Sequence, residues 1–220
     1  MVIGMRLTKC GHACVRIEQD GTTLVIDPGL FTEPEAVRGA DALLITHEHW
    51  DHFAEERVRA ALAADPGLRI WTNPVVAHQL AGLGPRITAV GEGDAFEVGG
   101  IEVSVHGQWH ELIHPDVPQV ANVGFLVGGR LFHPGDALTL PGCAVDTLMV
   151  PLAGPWTRTG DLIDYLRAVG PARALGMHEA MLSEIGLMVT GENWLGAKGP
   201  GTGTDYRYLT VGESLELTGE

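Results

Sequence analysis

Residues 46–52 read THEHWDH and follow the apolar run ALLI at positions 42–45. Such a run leaves no room for in–out alternation, so it is expected as a strand covered on both faces. A chain with a strand of this kind needs a layer on each side of the sheet, which points to a layered α/β fold. The strand then delivers three histidines, a glutamate and an aspartate within six positions. Such side chains are costly to bury unless something pairs with them. The cluster therefore requires a counter-charge, a solvent-exposed turn or a metal. An exposed turn accounts for one histidine easily, but poorly for three with an interleaved aspartate.

Short strands are expected around it. VIGMRLTK (2–9), ACVRIEQ (13–19) and TTLVIDP (22–28) are each bounded by Gly, Asp or Pro, and QDGT (19–22) is a hairpin-turn signal. The front of the chain thus reads as an antiparallel meander. A helix is expected through FAEERVRAALAAD (53–65), with Glu55 and Glu56 near its start and Pro66-Gly67 as its stop. AFEVGGIEVSVHG (95–107) and VGFLVGGRLFHPGD (123–136) each show two strand-like runs joined by Gly-Gly, and DTLMVPLAG (146–154) is another buried strand. Leu162, Ile163, Leu166 and Val169 follow helical spacing up to Gly170-Pro171. ARALGMH (172–178) and the apolar stretch after it are expected as a last strand and helix. Two packed sheets with helices outside would bury these faces.

The 220 residues, 45% of them hydrophobic, suffice for one well-filled core, and no linker, repeat or low-complexity tract divides them. The chain is read as one domain, residues 1–220. Its formal net charge is −14, and its 14 cations are scattered singly. That is the opposite of a nucleic-acid footprint. The first residues lack a basic start followed by an apolar stretch, no long apolar window is present, and the three cysteines do not form a disulfide framework. A cytoplasmic protein without membrane or nucleic-acid partners is expected; a homo-oligomer is left open.

HEHWD begins like the His-Glu-x-x-His helix of zinc proteases, but Asp51 stands where the second histidine should be. On an extended turn, His47 and His49 would point the same way, while Asp51 and His52 at the helix entry would face a neighbouring point. Two adjacent ligand sets are what a dinuclear site needs, with metals about 3.5–4 Å apart. Imidazole and carboxylate donors suit Zn, Mn or Fe.

His47-x-His49-x-Asp51-His52 after a buried strand resembles the metal-binding motif of the metallo-β-lactamase superfamily. The resemblance continues in order through Asp27 in LVIDP, His110 in GQWHELIH, Asp136 in FHPGD and His178 in LGMH. GHACVRIE…LVIDPG and the Trp in HEHWDH look most similar to the UlaG-like branch, which includes ascorbate-6-phosphate lactonase. The resemblance implies an α/β fold, a four-layer αβ/βα sandwich of two mixed sheets flanked by helices. It implies His47, His49 and His110 on one metal, Asp51, His52 and His178 on the other, and Asp136 as bridge. The cofactors implied are two divalent metal ions, Zn first, with Mn, Fe or Ni as alternatives. A hydroxide between them would attack an ester-type bond of a small-molecule substrate, a lactone or a phosphorylated metabolite, because metal binding lowers the pKa of water to about 7. Asp51 or a histidine could carry the leaving-group proton, and His12 in CGHAC is a candidate for a catalytic or a structural role.

Ligating histidines donate their second N–H to an outer acceptor, and Asp27 is the candidate. His106 and His114 flank His110 and compete with it. His114 is placed at the mouth of the site, His133 reads as structural, and His78 on an expected helix has no role. Trp156 is either a substrate wall or packing, and Trp50 is expected to wedge the motif loop. No clustered cation cradles a phosphate: Arg130 and Arg158 are isolated. The alternatives are a phosphodiesterase or nuclease on the same scaffold, and a non-hydrolytic metal-binding or redox module. Relatives with oxygen chemistry on iron carry Glu where this chain has His49, which weighs against the latter.

Overall fold

The run at 42–45 is buried on both faces because it lies between two different apolar layers. In a computed structural model describing residues 4–217, Ala42 and Leu44 face one cluster, and Leu43 and Ile45 face another. The strand they form, β4 (Ala42–Ile45), sits inside a seven-stranded sheet. Its other members are β1 (Met5–Gly11), β2 (Cys14–Gln19), β3 (Thr22–Ile26), β5 (Arg69–Thr72), β6 (Ile87–Ala89) and β14 (Ser214–Leu217). Their spatial order is β14-β1-β2-β3-β4-β5-β6. The expected meander is present: β1–β2 and β2–β3 pair antiparallel, and β3–β4, β4–β5 and β5–β6 pair parallel. Val2 and Ile3, expected at the start of the first strand, lie outside the described residues.

The second sheet repeats the plan. β7 (Ala95–Val98), β8 (Ile101–His106), β9 (Gly124–Val127) and β10 (Leu131–His133) form an antiparallel meander. β11 (Thr147–Pro151), β12 (Arg173–Met177) and β13 (Asp205–Arg207) continue it in parallel. Both Gly-Gly hairpins form as expected, with all four glycines at positive φ. The strand at 173–177 is not the last. β13 and β14 follow, and their short, polar, half-exposed sequences carry little periodic signal. β14 pairs with β1 and β13 with β12, so the C-terminal segment edges both sheets.

Between the sheets, Leu7, Val15, Ile26 and Leu44 meet Val103, Phe125, Met149 and Leu175. On the outer face of the first sheet, α1 (Glu55–Ala64) and α2 (Pro74–Gln79) cover Val25, Leu43 and Ile70 with Val58, Leu62 and Val76. On the outer face of the second, α3 (Thr159–Val169) covers Phe132, Leu148 and Val150 with Leu162, Tyr165 and Leu166. Each fully buried side chain of this kind contributes roughly 1.5–3 kcal/mol. The order helix–sheet–sheet–helix is the four-layer αβ/βα sandwich.

α3 ends at Gly170, whose φ of 62° is the left-handed stop its sequence predicts. A short α4 (Glu184–Leu187) runs into a π-helical turn, Met188–Leu195. Among the described residues, no helix is long and apolar enough to cross a membrane.

Candidate metal centre

The parallel strands of both sheets end along one edge of the sandwich, and the polar residues collect there. Asp27 follows β3, His47 follows β4, Asp136 follows the β10 turn and His178 follows β12. His12 sits in the β1–β2 turn, and His110 comes from the long loop after β8. Ligand sites at the carboxyl ends of sheet strands are a general outcome of α/β topology.

The structure brings all eight expected residues together in two groups. His47, His49, His110 and Asp136 have donor atoms within 4.8 Å of one another, as do His12, Asp51, His52 and His178. Asp136 joins the two groups. Its Oδ2 lies 3.4 Å from His110 Nε2 and 3.0 Å from His178 Nε2, and its Oδ1 lies 3.1 Å from His52 Nε2. Asp51 Oδ2 is 3.3 Å from His178 Nε2 and 3.2 Å from His12 Nε2.

The outer ring of each imidazole fixes which nitrogen carries the proton. Thr46 donates its hydroxyl to Asp27 Oδ2 at 2.7 Å, so at 2.9 Å from His47 Nδ1 it can only accept. His52 Nδ1 donates to Asp27 Oδ2 at 2.7 Å, His110 Nδ1 to the Glu111 carbonyl at 2.6 Å, and His178 Nδ1 to the Ala153 carbonyl. In the neutral ring Nε2 of His52, His110 and His178 is then a lone pair aimed at Asp136, while that of His47 accepts from His49 Nδ1 at 3.0 Å. Nε2 of His52, Nε2 of His178 and Oδ1 of Asp136 are buried without a hydrogen-bond partner. Lone pairs and a carboxylate converging in a buried space are unfavourable alone and are the environment a divalent cation requires. The residues present fit a metal centre.

Charges follow the same geometry. Burial disfavours the charged forms throughout, yet Asp136 and Asp27 hold His52 well above the ordinary histidine range. His178, against the same cost of burial, is pushed up to about 9 by Asp136 and Asp51. Asp136 in turn is held well below the carboxylate range by His52, His110 and His178, despite its burial. His47 falls well below its usual value through burial and the neighbouring His52.

His12 and His133 have a different tautomer. Ala180 N–H donates to His12 Nδ1 at 3.2 Å and Gly135 N–H to His133 Nδ1 at 3.2 Å, so each neutral ring carries its proton on Nε2. In His12 that proton points at Asp51; in His133 it is held by the Ala13 carbonyl at 2.8 Å. His133 is thus a satisfied structural residue, as expected. His106 is not in either group, its Nε2 lying on Ser104 Oγ at 2.9 Å, whereas His110 is. His114 is exposed and turned to Asp116. Trp50 does not wedge the loop: it is 56% exposed, with its ring 5.0 Å from Phe31. Glu48 lines a separate concavity with Trp50 and Arg57.

Several positioning residues were not legible in the sequence. Asn122, fully buried, donates to the Pro134 carbonyl at 2.8 Å and accepts from Asp136 N at 3.1 Å. Asn73 caps α2 and donates to the Thr46 carbonyl at 2.9 Å. Lys9, 1% exposed, pairs with Glu179 at 3.0 Å and donates to the His12 carbonyl. Of the four non-glycine residues at positive φ among the described residues, three, His12, Asp27 and His178, are in the centre. Such backbone costs of order 1–3 kcal/mol each and is retained where surrounding contacts over-determine it. Gly29 serves a close approach: a Cβ there would collide with the Asp51 carbonyl.

A family model described as a beta-lactamase superfamily domain matches residues 6–178. A Mycobacterium tuberculosis protein, Rv0786c, is 40% identical over 185 residues, covering 81% of this chain and 86% of that one. A Carboxydothermus hydrogenoformans protein described as a UPF0173 metal-dependent hydrolase is 29% identical over 193 residues, covering 79% and 84%. The solved structure of Bacillus subtilis YhfI, described as a metallo-beta-lactamase fold protein, aligns with a TM-score of 0.69 at 14% identity, over 98% of this chain and 100% of that one. That identity speaks to the fold alone, and the fold agrees with the four layers described above. With motif, topology and family model in accord from residue 6 to residue 178, the chain belongs to the metallo-β-lactamase superfamily.

Proposed function

We propose that the protein is a dinuclear metal-dependent hydrolase that uses water to cleave an ester-type bond of a small molecule, a lactone or another compact ester. The observation that carries this reading is the place of Asp136, a single buried carboxylate reached from both sides by imidazole nitrogens whose protons are directed elsewhere. His47, His49 and His110 would hold one ion, Asp51, His52 and His178 the other, and Asp136 both. The donor set is imidazole and carboxylate without thiolate, which suits Zn first and also Mn, Fe or Ni. Bound there, two divalent ions lower the pKa of water towards about 7 and polarise the bond under attack.

The chain's own groups supply positioning and proton transfer. Asp27 fixes the ring of His52, and Thr46 that of His47, so both present Nε2 inward. Burial, with His178 and His52 beside it, keeps His12 below its usual pKa, in spite of Asp51. Its Nε2–H, 3.2 Å from Asp51 Oδ2, orients that carboxylate, which could then pass a proton of the attacking water to the leaving oxygen. The name of the Carboxydothermus relative supports hydrolysis. Against a polyanionic substrate such as a nucleic acid stands the net charge of −14.

The test is hydrolysis of lactones, aryl esters and phosphodiesters before chelation, after it, and after return of Zn. Ester hydrolysis is expected to vanish and return with the metal. Asp136→Asn should lower kcat/KM by several kcal/mol of transition-state stabilisation, about a thousandfold. Ester hydrolysis indifferent to chelation would contradict the reading.

A further inference from the structure

Aromatic rings border the metal centre, and among the described residues the cations Lys9, Arg57 and Arg158 are engaged elsewhere. On one side the Phe31 ring lies 5.3 Å from that of His12, and Trp50 packs edge-on against Phe31. Both are solvent-exposed, at 47% and 56%. On the other side the half-buried Trp156 stands 5.7 Å from the His110 ring and 6.2 Å from that of His178. Trp156 is seated rather than loose: a Cβ on Gly154 would come within 2.7 Å of its indole, so the backbone there packs flat against the ring.

Among the described residues, Lys9 is the cation that touches the cluster, and it does so through the His12 carbonyl with its ammonium buried on Glu179. Arg57 is held by the carbonyls of Gly29, Leu30 and Thr32, and Arg158 is paired with Asp161. Of the nearby carboxylates, Asp51 is among the ligands, Glu48 lines the separate concavity, and Glu111 accepts from Leu138 N at 2.9 Å. A phosphate or carboxylate on the substrate, away from the bond being cleaved, would lose its hydration without gaining a cationic side chain as partner. An apolar group would find aromatic surface that is now wet.

We infer that, within the hydrolase reading on which this rests, the substrate is an uncharged ester or lactone whose acyl side carries an apolar or aromatic group, held by Trp156 and by Phe31, with Trp50 packed against Phe31 as its support. Specificity then comes from these three rings and not from a phosphate-binding site, so the phosphorylated metabolite of the sequence-based expectation is set aside.

Hydroxamates, which bind metals without being hydrolysed, separate the two ideas. Titration calorimetry on the metal-loaded protein would compare acetohydroxamate, benzohydroxamate and 4-phosphonobenzohydroxamate. The expected result is benzohydroxamate binding about tenfold more tightly than acetohydroxamate, the gain for burying a ring against aromatic walls. The phosphono compound should bind more weakly than its parent. In Trp156→Ala, or in Phe31→Ala if the first does not fold, the advantage should fall to about twofold or less, with metal content unchanged. Equal affinities for the first two ligands, or tighter binding of the phosphono compound, would overturn the inference and leave the hydrolase reading standing. Acetohydroxamate binding unaffected by stripping the metals would overturn the metal reading itself, and this inference with it.

Discussion

Asp27 accepts a 2.7 Å hydrogen bond from Nδ1 of His52, and it does so at a backbone φ of 51° that aspartate rarely adopts. The same carboxylate accepts from the amide and the hydroxyl of Thr46, so one side chain sets the orientation of His52 directly and of His47 through Thr46. Replacing it by asparagine puts an amide N–H₂ where an acceptor is needed. Asp27→Asn is expected to weaken metal affinity about 10–100-fold, the usual effect of losing an outer-sphere partner. Competition against a chromogenic chelator would measure it; unchanged affinity would remove Asp27 from the account.

The metal-free centre should respond to pH in a definite direction. The folded-state pKa of His178 is about 9, above the ordinary histidine value of 6.5, and that of His52 is also raised. A raised pKa stabilises the metal-free fold fully below the unfolded value, and that contribution is lost as pH rises through the folded value. The metal-free protein should therefore lose stability between about pH 6.5 and 9. Metal must displace those protons, so its apparent affinity should rise over the same window. Melting curves with and without Zn, taken at half-unit steps, should diverge as pH increases; a constant gap would contradict the charge assignment.

Lys9 and Glu179 form a buried pair 170 positions apart that joins the His12 turn to the His178 loop. Burial lowers the pKa of Lys9 in spite of Glu179, so the charged form depends on its partner. Lys9→Met would leave Glu179 buried without its counter-ion, at a cost of about 3–5 kcal/mol. Urea denaturation of the metal-free variant should show this as a lower midpoint with an unchanged slope. A loss under about 1 kcal/mol would mean that solvent already screens the pair.

Gly135 adopts φ 65° beside Asn122 and Thr46, and an added Cβ would lie 2.8 Å from Thr46 Cβ. Gly135→Ala combines left-handed backbone with a clash and should displace Asp136. The expectation is destabilisation of at least about 1 kcal/mol together with loss of bound metal. Retention of both, measured by thermal melting and metal analysis, would show that the loop adapts.

The sequence reveals most of this centre because its ligands are chemically conspicuous. His47, His49, Asp51 and His52 are contiguous, and the resemblance supplied His110, Asp136 and His178 in order. The central strands were equally plain, since burial on both faces makes β4 and β11 continuously apolar. What escaped is set by distance or by edge position. Lys9 looks like any surface lysine until Glu179 arrives from the far end of the chain. Asn73 and Asn122 look like turn residues until the loops they tie are in place. β13 and β14 are edge strands of three and four residues, half-exposed, so neither length nor alternation marks them. Trp50 was misjudged for a related reason: its place in the motif says nothing about which way the ring turns, and it turns out to Phe31.

The central claim is that two metals sit on either side of Asp136, one of them held by His110. Elemental analysis of protein purified without chelator tests it most directly, with His110→Ala and His106→Ala alongside. The account predicts about two metal ions per chain, a reduced content in His110→Ala and no change in His106→Ala. One ion or none in the unaltered protein, or a content indifferent to His110, would contradict it.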